Sequence, residues 1–117
     1  MKRVYIVDDS VKLRKRLYEL LSDVDNVQVI GQAGNADDAL GEVRALKPDT
    51  VLLDIRLPGK NGIQLLGKIK KLQPEITVIM MTNYDYPQYR HNSIRAGADH
   101  FFNKTREFES IIQVLKR

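Results

Sequence analysis

The 117-residue chain has no cysteine, no tryptophan and only two histidines, His91 and His100. The lack of cysteine excludes a disulfide scaffold, a thiolate metal site and a cysteine nucleophile. It also fits a reducing compartment, and a cytoplasmic location is the expectation. Two histidines supply a histidine-based metal centre or a serine triad poorly. Long apolar runs are missing as well. None approaches the roughly 20 residues of a membrane helix, and the opening Met1–Val7 is cut short by Asp8 and Asp9, unlike a signal peptide. No membrane insertion is expected. There is no linker, low-complexity tract or long repeat, so residues 1–117 are expected to form one domain.

Carboxylates are scarce in the second half. Residues 1–58 carry nine Lys/Arg and ten Asp/Glu (−1), residues 59–117 carry ten and five (+5), and the two sum to the net +4. The basic residues Lys12, Arg14, Lys15 and Arg16, and again Lys68, Lys70 and Lys71, fall at helical positions away from the apolar stripe. No aromatic residues interleave with them, which favours a solvated helix face over a nucleic-acid surface.

What the chain does have is an alternation of two apolar periods. Val4–Val7, Val27–Ile30, Thr50–Leu53, Ile76–Met81 and His100–Phe102 read as strands buried on both faces. Between and after them lie helical spacings. Leu13, Leu17, Leu20, Leu21 and Val24 follow Ser10, a cap residue. Ala36, Ala39, Leu40, Val43 and Leu46 follow Asn35 and stop before Pro48. Ile63, Leu65, Leu66, Ile69 and Leu72 stop before Pro74. A fourth helix starts at Pro87 and ends before Gly97, and Phe108, Ile111, Ile112 and Leu115 form the last, with Thr105 as a candidate cap. Five strand–helix units in series predict an α/β fold, a single doubly wound parallel sheet of (βα)5, flavodoxin-like form.

In such sheets ligands sit beyond the carboxyl ends of the strands. The residues there are Asp8, Asp9 and Ser10; Gly31 to Gly34, read as turn glycines; Asp54, Ile55 and Arg56; Thr82 and Asn83; and Asn103 and Lys104. Asp8 and Asp9 alone fit helix N-terminal charge as well as they fit a metal site. Asp54 shifts the balance, since nothing local after Val51–Leu53 calls for a charge. Three converging carboxylates need a cation, and Mg2+, a hard ion that takes carboxylates and keeps waters, is the natural one. Lys104 and Thr82 beside it would make a pocket for a phosphoryl group.

Four segments resemble one family across essentially the whole chain, in its order and spacing. Ile6–Ser10 resembles the opening acidic pair of the receiver domains of two-component response regulators, the CheY-like group. Leu52–Gly62 resembles their phosphoacceptor strand and loop, Ile79–Thr82 the strand ending in a hydroxyl, and Gly97–Lys104 the segment ending in lysine. The resemblance implies that Asp54 is the phosphoacceptor. Asp9, Asp54 and the backbone carbonyl of Arg56 would ligate Mg2+ directly and Asp8 through water, while Thr82 and Lys104 engage the phosphoryl oxygens. It implies a histidine kinase, a phosphotransfer protein or a small acyl phosphate as donor. The chain would be no enzyme beyond Mg2+-dependent self-phosphorylation and self-dephosphorylation. Output would pass through the surface of the fourth helix, fifth strand and last helix to a partner protein or a second copy, with Thr82 and Phe101 as the switch pair and Phe101 turning inward. Alternatively, the chain is the receiver half of a DNA-binding transcriptional regulator cut after Arg117.

Two positions depart from the family's pattern. Thr105 stands where proline, with a cis bond, often follows the lysine, and Phe101 stands where tyrosine is frequent. Arg56 and Tyr84, each two residues past a site residue, sit where dephosphorylation is tuned in the family. Other folds of this shape fit less well. Asp8 and Asp9 would repel the phosphate of a flavin, and adjacent acids point apart where a haloacid-dehalogenase-like site needs them two residues apart. His91 and His100 read as a surface and a strand residue, and Tyr84, Tyr86 and Tyr89 as packing or a partner surface.

Overall fold

The computed structural model describes residues 1–117. Five strands, β1 (Lys2–Val7), β2 (Val27–Ala33), β3 (Thr50–Asp54), β4 (Thr77–Thr82) and β5 (His100–Asn103), alternate with five helices. These are α1 (Val11–Ser22), α2 (Ala36–Leu46), α3 (Gly62–Leu72), α4 (Pro87–Arg95) and α5 (Phe108–Lys116). All strands are parallel in the order β2-β1-β3-β4-β5, as the alternation predicts. The strands are continuously apolar because successive side chains feed opposite layers. Tyr5, Val7, Val51, Leu53, Val78 and Met80 pack with Ala39, Val43, Leu65, Leu66 and Ile69 on the α2–α3 side. Val4, Ile6, Leu52, Ile79 and Met81 pack with Leu17, Leu21, Ile111, Ile112 and Leu115 on the α1–α5 side.

The helix ends follow local chemistry. Ser10 and Asn35 accept hydrogen bonds from the amides of Leu13 and Asp38, and Pro87 opens α4. At the end of α2, Lys47 takes a left-handed φ of 51°, and Arg3 donates to the carbonyls of Leu46 and Lys47 that the helix leaves open.

Several expectations need correction. Gly31 is not a turn glycine: β2 runs on to Ala33, paired with Val7. A Cβ at Gly31 would lie 2.8 Å from the Tyr5 ring, so glycine is there to admit the ring. Thr105 caps nothing. The last helix starts at Phe108, and the amides of Thr105 and Arg106 donate to the Asn103 side chain instead. Leu20 is exposed although it matches the α1 apolar spacing. Arg14 and Lys70 are only partly solvated: Arg14 donates to the Asp8 carbonyl, and Lys70 to the Ile76 carbonyl and Asp99.

Candidate functional site

The register fixes where the site lies. Val7 is level with Leu53, Asp54 with Met81, and Thr82 with Asn103, so the ends of β1, β3, β4 and β5 open on one edge. Asp8, Asp54, Thr82 and Lys104 meet there as expected, and Asp9 stands at the rim.

Local contacts hold each member. Asp8 is fully buried. Its Oδ1 accepts from the Ser10 amide (2.8 Å) and its Oδ2 from Lys104 Nζ (2.8 Å), while its carbonyl is held by Arg14. Asp54, 3% exposed, accepts from the same Lys104 Nζ at 3.1 Å and from the Arg56 amide at 3.4 Å. Behind it the chain doubles back. The Gly62 amide donates to the Ile55 carbonyl, and a Cβ at Gly62 would lie 2.0 Å from the Asp54 carbonyl oxygen, a position only glycine can take. Thr82 is buried, and its hydroxyl oxygen accepts from the Tyr84 amide at 3.0 Å. The Lys104 amide donates to the Thr82 carbonyl at 2.9 Å, tying the ends of β4 and β5.

The electrostatics are unbalanced. One ammonium serves two buried carboxylates, and Asp9 adds a third negative charge outside. Burial foremost, then the charge of Asp8, pushes the Asp54 carboxyl up to about 6 against the opposing pull of Lys104. Burial alone would depress Lys104, but its hydrogen bond to Asp8 and the charges of Asp54 and Asp8 outweigh it and hold the ammonium above its usual range. Carboxylate oxygens of Asp8, Asp9 and Asp54 lie within 4.8 Å of one another. Three carboxylates less one lysine leave a net −2, hard oxygen donors only, and this fits a divalent cation such as Mg2+. Both Asp8 oxygens already accept hydrogen bonds, whereas Asp9 is exposed and accepts none, and no protein donor reaches the Arg56 carbonyl.

Phe101 is buried (4% exposed) beneath the Arg90 guanidinium, 4.7 Å from its ring centroid. The Lys104–Thr105 peptide is trans. Arg56 lies 4.0 Å from the Tyr84 ring centroid and reaches the Tyr89 hydroxyl, with Tyr86 beside both tyrosines. His91 is exposed and His100 stacks on Phe102 within β5, as expected.

Sequence reasoning missed three supports. Asn103 is buried and turns the chain after Lys104, Glu107 accepts from the Asn103 amide, and the Thr105 hydroxyl donates to Asn83 Oδ1 at 2.7 Å. The polar run Asn103–Thr105 was the only available signal, and it does not say which neighbour each side chain meets.

The model of the response regulator receiver domain matches residues 4–116. Response regulator GacA of Pseudomonas aeruginosa is 32% identical over 117 residues, covering all of this chain and 55% of GacA. The chain thus spans about half the length of that curated relative. A receiver domain protein (CheY-like) from Methanospirillum hungatei superposes with a TM-score of 0.90 at 29% identity, covering 99% of this chain and 91% of that one. A Burkholderia pseudomallei response regulator, solved with a phosphorylated aspartic acid, calcium ion and citrate, superposes with a TM-score of 0.86 at 27% identity, covering 98% and 66%. With its acids, hydroxyl and lysine at the strand ends where this fold gathers them, and with the family model matching nearly its whole length, the chain belongs to the response regulator receiver domains.

Proposed function

We propose that this receiver domain is a phosphorylation-activated switch in which Asp54 is the phosphoacceptor. The observation that supports this most is the Lys104 ammonium shared between two buried carboxylates, Asp8 and Asp54, at the sheet edge. An Asp54 oxygen attacks phosphorus in line. The P–N bond of a donor phosphohistidine, or the P–O bond of an acyl phosphate, breaks, and its electron pair leaves with the imidazole or carboxylate. Lys104 moves from the carboxylates toward the new phosphoryl oxygens. The Thr82 hydroxyl, which accepts from the Tyr84 amide but has its own proton to give, donates to another of them. Asp9, Asp54 and the Arg56 carbonyl would hold Mg2+ directly and Asp8 through water. When bound, that ion supplies charge neutralisation of the phosphoryl oxygens. Water later cleaves the acyl phosphate, and Arg56 with Tyr84 at the rim sets how readily it enters.

Incubation with Mg2+ and acetyl phosphate should add one phosphoryl group, read by intact-protein mass spectrometry, and Asp54→Asn should take up none. Full labelling of that variant would reject the assignment. The donor in the cell is a histidine kinase or phosphotransfer protein, and the place of action the cytoplasm. Output runs through α4, β5 and α5, with Thr82 and Phe101 linking it to the site. Because GacA is about twice as long, a second reading makes this chain the receiver part of a DNA-binding regulator. The length of the native reading frame decides it.

A further inference from the structure

The two strands that end in Asp54 and Thr82 both begin, at the opposite edge of the sheet, with threonine. Thr50 and Thr77 are level neighbours on β3 and β4, so their side chains share one face, the α5 side that Leu52 and Ile79 also feed. Thr50 is 3% exposed, and neither hydroxyl has a hydrogen-bond partner in the chain. The Ser93 hydroxyl is the one sealed side-chain polar group without a partner, so both threonine hydroxyls open on free space. That space is a cleft of about 340 Å3 under the C-terminal end of α5, within the size range of small-ligand sites.

The free groups inside the cleft are donors. Lys2, half-buried at the start of β1, gives one ammonium proton to the Leu115 carbonyl at 3.2 Å and pairs with no carboxylate, so its other protons are unclaimed. The carbonyls that end α5 are taken, that of Leu115 by Lys2 and that of Val114 by the Arg117 amide. Lys47, Asp49 and Glu75 are exposed at the mouth, and Asp49 already accepts from the Arg3 amide at 2.8 Å. The one partly buried charge is therefore the Lys2 ammonium. Two hydroxyls and an ammonium are a donor set for a carboxylate, whose two oxygens accept several hydrogen bonds at once. Val114, half-buried beside them, adds an apolar wall.

We propose that this cleft is a second ligand site, for a small monocarboxylate with a short apolar tail. Its oxygens accept from the Thr50 and Thr77 hydroxyls and the Lys2 ammonium, and its tail lies along Val114. The bound carboxylate ties the end of α5 to the starts of β1, β3 and β4. Because the cleft lies at the strand ends opposite Asp54 and Thr82, the proposal stands apart from the phosphoacceptor reading.

The test is amide NMR of the 117-residue chain at constant ionic strength. The probes are butyrate and benzoate, with butyramide and benzamide as their uncharged counterparts, each titrated to about 20 mM. Both carboxylates should shift the Thr50 and Thr77 amides with a Kd on the order of 1 mM, and the uncharged pair should bind about tenfold more weakly or not at all. Lys2→Met keeps the stem and removes the charge, and should weaken butyrate binding about tenfold. Thr50→Val keeps the shape and removes a hydroxyl, and should weaken it several-fold. Thr77→Val, at a half-buried position, reads the same hydroxyl pair if Thr50→Val fails to fold. Equal binding of carboxylates and amides, or carboxylate binding that Lys2→Met leaves intact, would overturn the proposal. So would titrations that leave Thr50 and Thr77 unshifted, which would mean that the cleft holds water only.

Discussion

Helices α3 and α4 both follow a strand that ends in a site residue, Asp54 for one and Thr82 for the other, yet they are held very differently. α3 buries Gly62, Leu65, Leu66 and Ile69 and is capped by Asn61, whereas α4 buries only Ser93 and has no side-chain cap. The two halves of the site therefore rest on unequal supports. The carboxylate half, β1, β3 and α3, is fixed by apolar packing and by the close approach of Gly62 to Asp54. In the half with the hydroxyl, β4 is packed into both core layers, but the α4 that follows it buries only Ser93. A phosphoryl group at Asp54 would find a rigid acceptor and a movable reader, the arrangement a switch needs, because elements with few buried apolar contacts open at low free energy.

The largest effects should come from attacking the rigid half. Gly62→Ala must push α3 off the Asp54 carbonyl, and urea unfolding should show a loss of about 3 kcal/mol, near the upper end for overpacking, with Asp54 labelling impaired. Leu66→Ala should lose a similar amount through its cavity, while Ile94→Ala on α4 should change stability by less than about 0.5 kcal/mol. Equal losses from Leu66→Ala and Ile94→Ala would erase the contrast.

A middle effect concerns charge strain that the rigid half cannot relax. The folded Asp54 carboxyl is raised to about 6 from an ordinary 3.8, so the native state holds this proton more tightly than the unfolded chain. Its contribution is fully present below the unfolded value and is lost as pH rises through about 6, so metal-free stability should fall across that window. Asp54→Asn should flatten that slope and stabilise the metal-free protein at pH 7.5 by on the order of 2 kcal/mol. Added Mg2+ should raise the melting temperature of the parent much more than that of Asp54→Asn. A pH-independent parent between pH 4 and 7 would show that the carboxylate half relaxes after all.

Smaller still, Ser93→Ala removes the unpaired buried hydroxyl under α4 and should be neutral or stabilising by up to about 1 kcal/mol. A clear loss would mean that α4 depends on that hydroxyl. The smallest stability change belongs to Thr105→Val, which deletes the exposed bond to Asn83 for about 0.5 kcal/mol. Its informative readout is NMR. Thr82 precedes Asn83 and Lys104 precedes Thr105, so this bond ties the loops that carry both. In the parent, beryllofluoride should shift the Thr82 and Lys104 amides in concert, and in the variant their exchange rates should separate. Unchanged concerted behaviour would remove Thr105 from the coupling.

The sequence by itself determined the order of elements, the doubly wound sheet and the acids, hydroxyl and lysine at its edge. Each of those is written in local periodicity: a continuous apolar run for a strand buried on both faces, a one-sided stripe for a helix, and a polar residue where the run stops. The caps Ser10 and Asn35 were legible for the same reason, since a cap bonds within three residues of itself. Thr105 was misread as a cap because its hydroxyl bonds 22 residues away, to Asn83. Only the tertiary structure decided that Lys104 bridges carboxylates 96 and 50 residues distant in the chain, that burial raises Asp54, and that Phe101 is buried beneath Arg90. It also showed that Arg14, Lys70 and Gly31 serve contacts rather than solvent or a turn. These facts depend on desolvation and on distances between strand ends, which the register of neighbouring strands sets and no local pattern encodes.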